Sequence, residues 1–111
     1  PVLGYSWEGY VVEQIISLLP NSVQAFYYRT HDGAEADLVL VKGVKPVAAL
    51  EIKYSEKPSV PRGFAESVKD LKTKNNYIIT PAQESNWPVN KDIQACGLRY
   101  FLEKILPQIC K

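Results

Sequence analysis

The sequence predicts an α/β fold of the α+β kind, in which helices flank a mixed sheet of four to five strands. Three observations lead to this prediction. Two apolar runs at 35–41 and 47–53 are separated by a link with Gly and Pro, a pattern typical of an antiparallel hairpin. An amphipathic segment at 62–74 then leads to a short apolar run at 77–80, a spacing that suits a helical crossover to a parallel strand. Helical periodicity near both chain ends adds a first and a last helix.

The first helix is predicted from Trp7 to Leu19, with Ser6 as its N-cap and Pro20 after its end. Its inward stripe consists of Val11, Val12, Ile15 and Leu19. Glu8 lies about one turn before this stripe, so an acidic side chain is expected on the buried face. A negative charge in the first turn also stabilises a helix N-terminus, which is an alternative explanation for Glu8.

The first strand is predicted at 25–30, followed by a turn in which Gly33 supplies a positive φ. If Asp32 and Gly33 form a two-residue loop, Tyr28 lies opposite Asp37. His31 falls in this turn, where we expect it to be exposed and without a catalytic role.

The second hairpin brings together the residues that could carry chemistry. If it is symmetric about Val44, Val41 pairs with Val47, and counting outward places Asp37 opposite Glu51 and Glu35 opposite Lys53. One sheet face then displays Glu35, Asp37, Glu51 and Lys53. The other face displays Ala36, Leu38, Leu40, Leu50, Ile52 and Tyr54.

Two opposed carboxylates repel each other unless a positive group lies between them. Mg²⁺ is a hard ion that binds one or two carboxylates and keeps positions for water and phosphate oxygens, so Asp37 and Glu51 predict a metal site. Lys53, on the same face, would then meet a phosphate or a developing negative charge. The ordinary alternative is a cross-strand ion pair between Glu35 and Lys53.

The rest of the chain supplies the other layers. A loop at 55–61 precedes a helix from Arg62 to about Lys74, whose inward residues are Phe64, Val68 and Leu71. The parallel strand at 77–80 makes the second strand of the hairpin central in the sheet. A polar loop is predicted at 83–90, a short edge strand at 92–95 and a last helix at 98–109, with Pro107 fraying its final turn.

Composition limits the class of protein. With 111 residues, the chain is expected to form a single domain over 1–111, and its lack of Met and its start at Pro1 suggest a piece of a longer protein. The net charge of +1 predicts no strong general attraction to nucleic acid, although basic residues are in modest excess over 53–74. No apolar run is long enough for a membrane helix and no signal peptide is visible, so we expect a cytoplasmic protein.

The sequence lacks the residues that several common kinds of functional site require. Only Cys96, Cys110 and His31 offer soft metal ligands, which argues against zinc and favours two free thiols, buried or partly buried. The same single histidine leaves a serine or cysteine nucleophile without a base. The chain has no phosphate-binding G-x-x-x-x-G-K-S/T motif, so ATP would be bound only by a domain outside this segment.

Asp37 followed by Glu51-Ile52-Lys53 resembles the Asp…Glu-x-Lys signature of the restriction-endonuclease-like, or PD-(D/E)XK, superfamily. The runs Trp7-Glu8, Tyr27-Tyr28-Arg29-Thr30, Ala34-Glu35-Ala36-Asp37 and Leu50-Glu51-Ile52-Lys53-Tyr54 resemble a C-terminal domain of unknown function found on many prokaryotic AAA-type P-loop ATPases. The resemblance implies an αβββαβ core and a fused upstream ATPase as partner, and the predicted C-terminal helix is an addition to that core. It also implies that Glu8, from the first helix, joins Asp37 and Glu51 in the metal site.

Two functions follow from these residues. In the first, Asp37, Glu51 and Glu8 hold Mg²⁺ or Mn²⁺, Lys53 assists, and the domain hydrolyses phosphodiester bonds of nucleic acid. In the second, the domain keeps the nuclease fold but serves as a noncatalytic recognition or regulatory module of the ATPase. The paired acids favour the enzyme, and the nearly neutral charge favours the module.

Overall fold

The computed structural model describes residues 6–81 and 86–111. The first elements are α1 (Trp7–Ser17), β1 (Val23–Arg29), β2 (Glu35–Lys42), β3 (Lys45–Ile52), α2 (Arg62–Leu71) and β4 (Asn75–Thr80). They are followed by β5 (Asn86–Pro88), β6 (Gln94–Gly97), α3 (Leu98–Tyr100), a π-helix (Phe101–Ile105) and α4 (Leu106–Ile109). In the part of the chain described, no helix is long and apolar enough to cross a membrane.

Helix α1 begins where its capping residue predicts. The Ser6 hydroxyl accepts a hydrogen bond from the backbone N–H of Gly9 at 3.0 Å, which satisfies one of the free donors of the first turn. The helix ends at Ser17, two residues before the predicted end, because the N–H of Leu18 turns back to the carbonyl of Ile15. The predicted inward stripe is confirmed: Val11 and Ile15 are buried, and Val12 and Leu19 pack against them partly buried.

The strands form one six-stranded mixed sheet in the order β1-β2-β3-β4-β6-β5. The first three strands are antiparallel to their neighbours, β3, β4 and β6 run parallel, and β5 is antiparallel to β6. The predicted crossover to a strand parallel to the hairpin is therefore confirmed, and β3 lies inside the sheet as expected.

The far side of the sheet differs from the prediction. The strand expected at the edge over 92–95 is β6, which lies at 94–97 between β4 and β5. The predicted loop contains strand β5, although 83–85 of that loop lie outside the described residues. Trp87 packs partly buried against the core opposite Ala95, which favours a strand there, and Pro88 sits on the outer edge, where its missing N–H breaks no ladder bond.

Two apolar cores lie on the two sheet faces. The α1-side core contains the buried residues Val11, Ile15, Val23, Leu38, Leu40, Ala48, Leu50, Ile52, Ile79, Cys96, Phe101, Ile105, Leu106 and Ile109. The α2-side core contains Ala36, Val39, Ala49, Phe64, Val68, Ile78, Ile93 and Ala95. Because helices cover both faces, the central strands read as nearly continuous apolar runs.

The C-terminal helical segment widens before its proline. The N–H of Leu106 donates to the carbonyl of Phe101, five residues back, and the following turn of α4 continues to Ile109. Pro107 has no N–H, and it sits at the start of α4, where a free donor is not required. The predicted fraying at Pro107 is therefore wrong. The predicted inward residues Phe101, Ile105, Leu106 and Ile109 are buried.

Both thiols are free, as predicted: Cys96 is buried and Cys110 is partly buried. Burial raises the pKa of the Cys96 thiol to about 12 and also raises that of Cys110. Both groups therefore stay protonated and poorly nucleophilic near neutral pH.

Candidate functional site

Asp37 lies in a β-bulge of β2. The register pairs Phe26 with Val39 and Tyr28 with Ala36. Asp37 and Leu38 together therefore oppose the single residue Tyr27. A bulge rotates the strand locally, and Ala36 consequently packs in the α2-side core whereas Leu38 packs in the α1-side core. The prediction that Ala36 shares the face of Leu38 is wrong for this reason.

The turn before β2 differs in length from the prediction. The N–H of Thr30 donates to the carbonyl of Ala34 at 2.9 Å, so the connection is longer than the two-residue loop considered from the sequence. Gly33 has the expected positive φ of 97°. Tyr28 lies opposite Ala36 and not opposite Asp37. His31 is exposed, as predicted.

The hairpin between β2 and β3 differs from the prediction at its turn and agrees with it farther out. Lys42 pairs with Lys45, so the loop is Gly43-Val44, and Val41 lies opposite Pro46, not opposite Val47. A second irregularity lies between Leu40 and Val41, where β3 contains one extra residue. This extra residue restores the predicted register beyond Leu40. Leu38 pairs with Leu50, as the symmetric hairpin predicts, and Asp37 and Glu51 follow directly beyond this pair.

Glu51 and Lys53 form the centre of the candidate site at the carboxyl end of β3. Lys53 Nζ lies 3.8 Å from Glu51 Oε2, with side-chain exposures of 42% for the lysine and 12% for the glutamate. Glu51 Oε1 is buried and accepts no hydrogen bond from any described residue. An ion-paired carboxylate with one buried, unsatisfied oxygen is costly unless a further donor or cation reaches it.

Asp37 contributes negative charge to Glu51 while being held by the backbone. Asp37 Oδ2 accepts a hydrogen bond from the N–H of Ile52 at 2.8 Å. Burial, followed by the negative charge of Asp37, raises the pKa of Glu51 to about 7, against the opposing effect of Lys53. The charge of Asp37 therefore disfavours ionisation of Glu51.

Glu8, at the start of α1, interacts with Asp37. Glu8, Asp37 and Glu51 are called the acidic group below. Partial burial, followed by the charge of Asp37 and a hydrogen bond to its side chain, raises the pKa of Glu8. The expectation that Glu8 lies on the buried face is wrong, because its side chain is exposed in the first turn of α1. The Trp7 ring stands edge-on to Tyr54, with 6.1 Å between ring centroids, and so ties this turn to the segment after β3.

Glu35 lies at the border of the group and takes a partner that the sequence did not indicate. The Tyr27 hydroxyl donates to Glu35 Oε2, and this bond raises the pKa of Tyr27. The cross-strand ion pair considered between Glu35 and Lys53 is not formed, because Lys53 pairs with Glu51. The sequence analysis placed Tyr28, and not Tyr27, beside the acidic residues of β2, because the alternation of residues along a strand gives no sign of a bulge.

The donor set fits a hard divalent cation with two protein carboxylates. Glu51 Oε1 and the Asp37 carboxylate offer only oxygen, the ligand that Mg²⁺ and Mn²⁺ accept, with water and phosphate completing the coordination. Within 6–81 and 86–111, no three Asp, Glu, His or Cys side chains are grouped closely enough to hold a metal ion together. The metal roles of Asp37, Glu51 and Glu8 stay predictions.

The fold and this site define a mixed α/β domain with an acidic group and one lysine at the carboxyl end of an interior strand. The chain belongs to the family described as domain of unknown function DUF4143, whose model matches residues 3–101. It is 36% identical over 96 residues to the uncharacterized protein Mb2031c of Mycobacterium bovis and, equally, to the uncharacterized protein Rv2008c of Mycobacterium tuberculosis.

These matches cover 86% of the chain and 21% of each relative, so the chain spans about one fifth of the length of the curated relatives it matches. No solved structure matches the chain.

Proposed function

We propose that this domain is a nuclease-like module with a restriction-endonuclease-like αβββαβ core, which hydrolyses phosphodiester bonds of nucleic acid with Mg²⁺ or Mn²⁺. The observation that carries the proposal is the buried, unsatisfied Oε1 of Glu51, flanked by Asp37 and Lys53. An unsatisfied buried carboxylate oxygen is destabilising in the free protein, and a bound cation would relieve that cost.

Asp37 and Glu51 would hold the cation, and Glu8 would support it from the start of α1. When bound, such an ion polarises a phosphate oxygen and lowers the pKa of its water ligand. The hydrogen bond from Ile52 fixes the orientation of the Asp37 carboxylate, so little ordering is required when a ligand arrives.

Lys53 is the residue suited to the phosphate. Its ammonium group is close to Glu51 and its side chain remains 42% exposed, so the lysine is able to contact a ligand without leaving Glu51. In that position it would stabilise negative charge that develops on the phosphate or orient the attacking water.

A second candidate function is a noncatalytic recognition or regulatory module of a fused ATPase. One observation favours it: the described residues contain no preformed group of three metal ligands. The relatives are about five times longer than the matched segment, which covers 21% of them and leaves room for such a domain. In this function, the acidic group would be a polar surface for a partner.

A metal titration coupled to cleavage separates the two functions. Calorimetry with Mn²⁺ and Mg²⁺ on wild type and Glu51→Gln is followed by incubation with plasmid and single-stranded DNA and RNA. Glu103→Gln is the matched control, because it removes an equal charge from an exposed ion pair with Arg99. The nuclease proposal requires binding and cleavage that Glu51→Gln abolishes and Glu103→Gln retains.

Metal binding without cleavage of any substrate would favour the noncatalytic module. Absence of metal binding at millimolar concentration would contradict the metal site itself.

A further inference from the structure

An open cavity of about 550 Å³ lies between the end of α2 and the loop that precedes β6. Four lysines line it: Lys69, Lys72, Lys74 and Lys91. Asp92 is the one acid among its described lining residues. The cavity adjoins the start of β4, whereas Glu51 lies near the end of β3, which runs parallel to β4. The lysines and the acidic group therefore occupy opposite ends of these strands.

None of the four lysine ammonium groups forms an ion pair with a carboxylate in the described ranges 6–81 and 86–111. The lining therefore carries an excess of three positive charges at neutral pH. Like charges around a concave surface focus a positive potential into it, which attracts a multiply charged anion more strongly than a flat surface does.

Hydrogen bonds within and between the two lysine-bearing segments hold them in place. The side-chain amide of Asn76 donates to the carbonyl of Thr73 at 2.9 Å and to that of Asp92 at 3.0 Å, and so joins the two walls. Asn90 Oδ1 accepts from the N–H groups of Asp92 and Ile93, both at 2.8 Å. The walls are thus fixed before a ligand binds, which lowers the ordering cost of binding.

Lys72 occupies a backbone position that usually belongs to glycine. It ends α2 in the left-handed conformation, with φ of 56°, and is the one non-glycine residue with positive φ in the described part of the chain. A side chain in this region is disfavoured. Here, the lysine at this position lines the cavity, so a strained residue supplies one of its four charges.

We propose that this cavity binds closely spaced phosphate groups, supplied by the backbone of a nucleic acid or by a nucleoside polyphosphate. Lysine ammonium groups bind phosphate as point charges, and four of them suit a ligand with several phosphates. The described lining has no aromatic ring, so recognition goes through phosphate and not through base stacking. The site does not require cleavage, or a metal, at Asp37 and Glu51.

The test is an NMR titration with two ligands, ATP without metal and a single-stranded oligonucleotide, following the amides of 72–74 and 91–93. The variant is Lys69→Glu with Lys91→Glu, two exposed lining positions. Lys45→Glu with Lys104→Glu is the control, since it makes the same charge change at exposed positions outside the lining.

We expect shifts at these amides in wild type, about tenfold weaker binding in the lining variant, and less than about twofold change in the control. For the oligonucleotide, the slope of log K against log salt should become less steep by about 0.7 for each lysine lost. Binding of ATP alone identifies a nucleoside polyphosphate as the source of phosphate, and binding of the oligonucleotide alone identifies the backbone.

The proposal is overturned if neither ligand shifts these amides, or if the lining variant binds as tightly as wild type. Cleavage is measured separately, and the monitored amides of 72–74 and 91–93 lie at the opposite end of β4 from Glu51. Failure of the nuclease proposal and failure of this one are therefore distinguishable.

Discussion

Asp37 Oδ2 accepts a hydrogen bond from the backbone N–H of Ile52 at 2.8 Å, across the ends of β2 and β3. The bond joins the bulged segment of one strand to the last residue of the other. It holds the Asp37 carboxylate beside Glu51, where its charge opposes ionisation of the glutamate. A single side chain therefore both joins the ends of β2 and β3 and adds to the cost of ionising Glu51 that burial already imposes.

Replacement of Asp37 should separate these two effects. Asp37→Asn keeps an acceptor for Ile52 and removes the charge, whereas Asp37→Ala removes both. We expect the free energy of unfolding of Asp37→Ala to lie about 1–2 kcal/mol below that of Asp37→Asn, the cost of an N–H left without its acceptor. Chemical denaturation in EDTA at pH 7 measures the difference, and equal stability of the two variants would contradict the role of the bond.

Glu51 should make the metal-free protein less stable as the pH rises. Its pKa is about 7 in the folded protein against an ordinary value of 4.5 for a glutamate, so between these values the folded state retains a proton that the unfolded state loses. The stabilisation is fully present below 4.5 and is lost as the pH rises through 7. Because the side chain is partly solvated, we expect about 1–2 kcal/mol in place of the full linkage value.

Glu51→Gln should remove this dependence. The variant should be more stable than wild type at pH 8 by about 1–2 kcal/mol and nearly equal to it at pH 4. Glu103→Gln, in an exposed ion pair, should leave the wild-type pH profile in place. Denaturant unfolding at a series of pH values provides the measurement, and parallel profiles for wild type and Glu51→Gln would refute it.

Lys53→Met should affect chemistry more than metal binding. The lysine offsets the raised pKa of Glu51, so its loss should raise that pKa further. If Lys53 acts on the phosphate, cleavage should fall by about 100-fold or more while Mn²⁺ affinity changes only a few-fold. Lys57→Met, in the exposed loop beyond, is the control. Cleavage at the wild-type rate by Lys53→Met would remove the lysine from the proposed mechanism.

Lys72→Gly should stabilise the protein by about 0.5–1 kcal/mol, because glycine accepts the left-handed φ of 56° that the lysine adopts with strain. Lys69→Gly is the matched comparison, since it removes the same charge inside the last turn of α2. It should destabilise by about 1 kcal/mol through its poor helix propensity. Thermal unfolding of both variants tests the opposite signs.

Gly63→Ala should destabilise the junction of α2 with the turn before β2. A Cβ at this position would lie 2.7 Å from the carbonyl oxygen of Gly33, a backbone atom that moves only with the turn. We expect a loss of about 1–2 kcal/mol, although alanine is the better helix former. Gly9→Ala, facing the Ser6 hydroxyl at 3.2 Å, should change stability by less than about 0.5 kcal/mol. Equal effects of the two substitutions would contradict this prediction, because they would show that the turn at Gly33 moves to accommodate the added methyl group.

The candidate site illustrates how far local patterns reach. The Asp…Glu-x-Lys spacing and hairpin symmetry placed Asp37 next to Glu51, and the ladder at Leu38 and Leu50 has the predicted register. The same reasoning failed near both turns, where two bulges each shift the pairing by one residue. The position of a bulge depends on the geometry of the nearby turn and on the packing of twisted strands. The alternation of apolar and polar residues along a strand does not reveal either of these.

The sequence by itself determined the elements that depend on local periodicity and on backbone chemistry: the Ser6 cap, the inward stripe of α1, the hairpin at Gly43, and the parallel crossover into β4. Tertiary structure alone decided the partners of side chains. It paired Lys53 with Glu51, gave Glu35 to Tyr27, left Glu8 exposed and inserted β6 within the sheet. The physical reason is the distance along the chain over which each feature is set. Helix and strand periods repeat over a few residues, whereas charge, burial and register at the strand ends depend on segments that are distant in sequence.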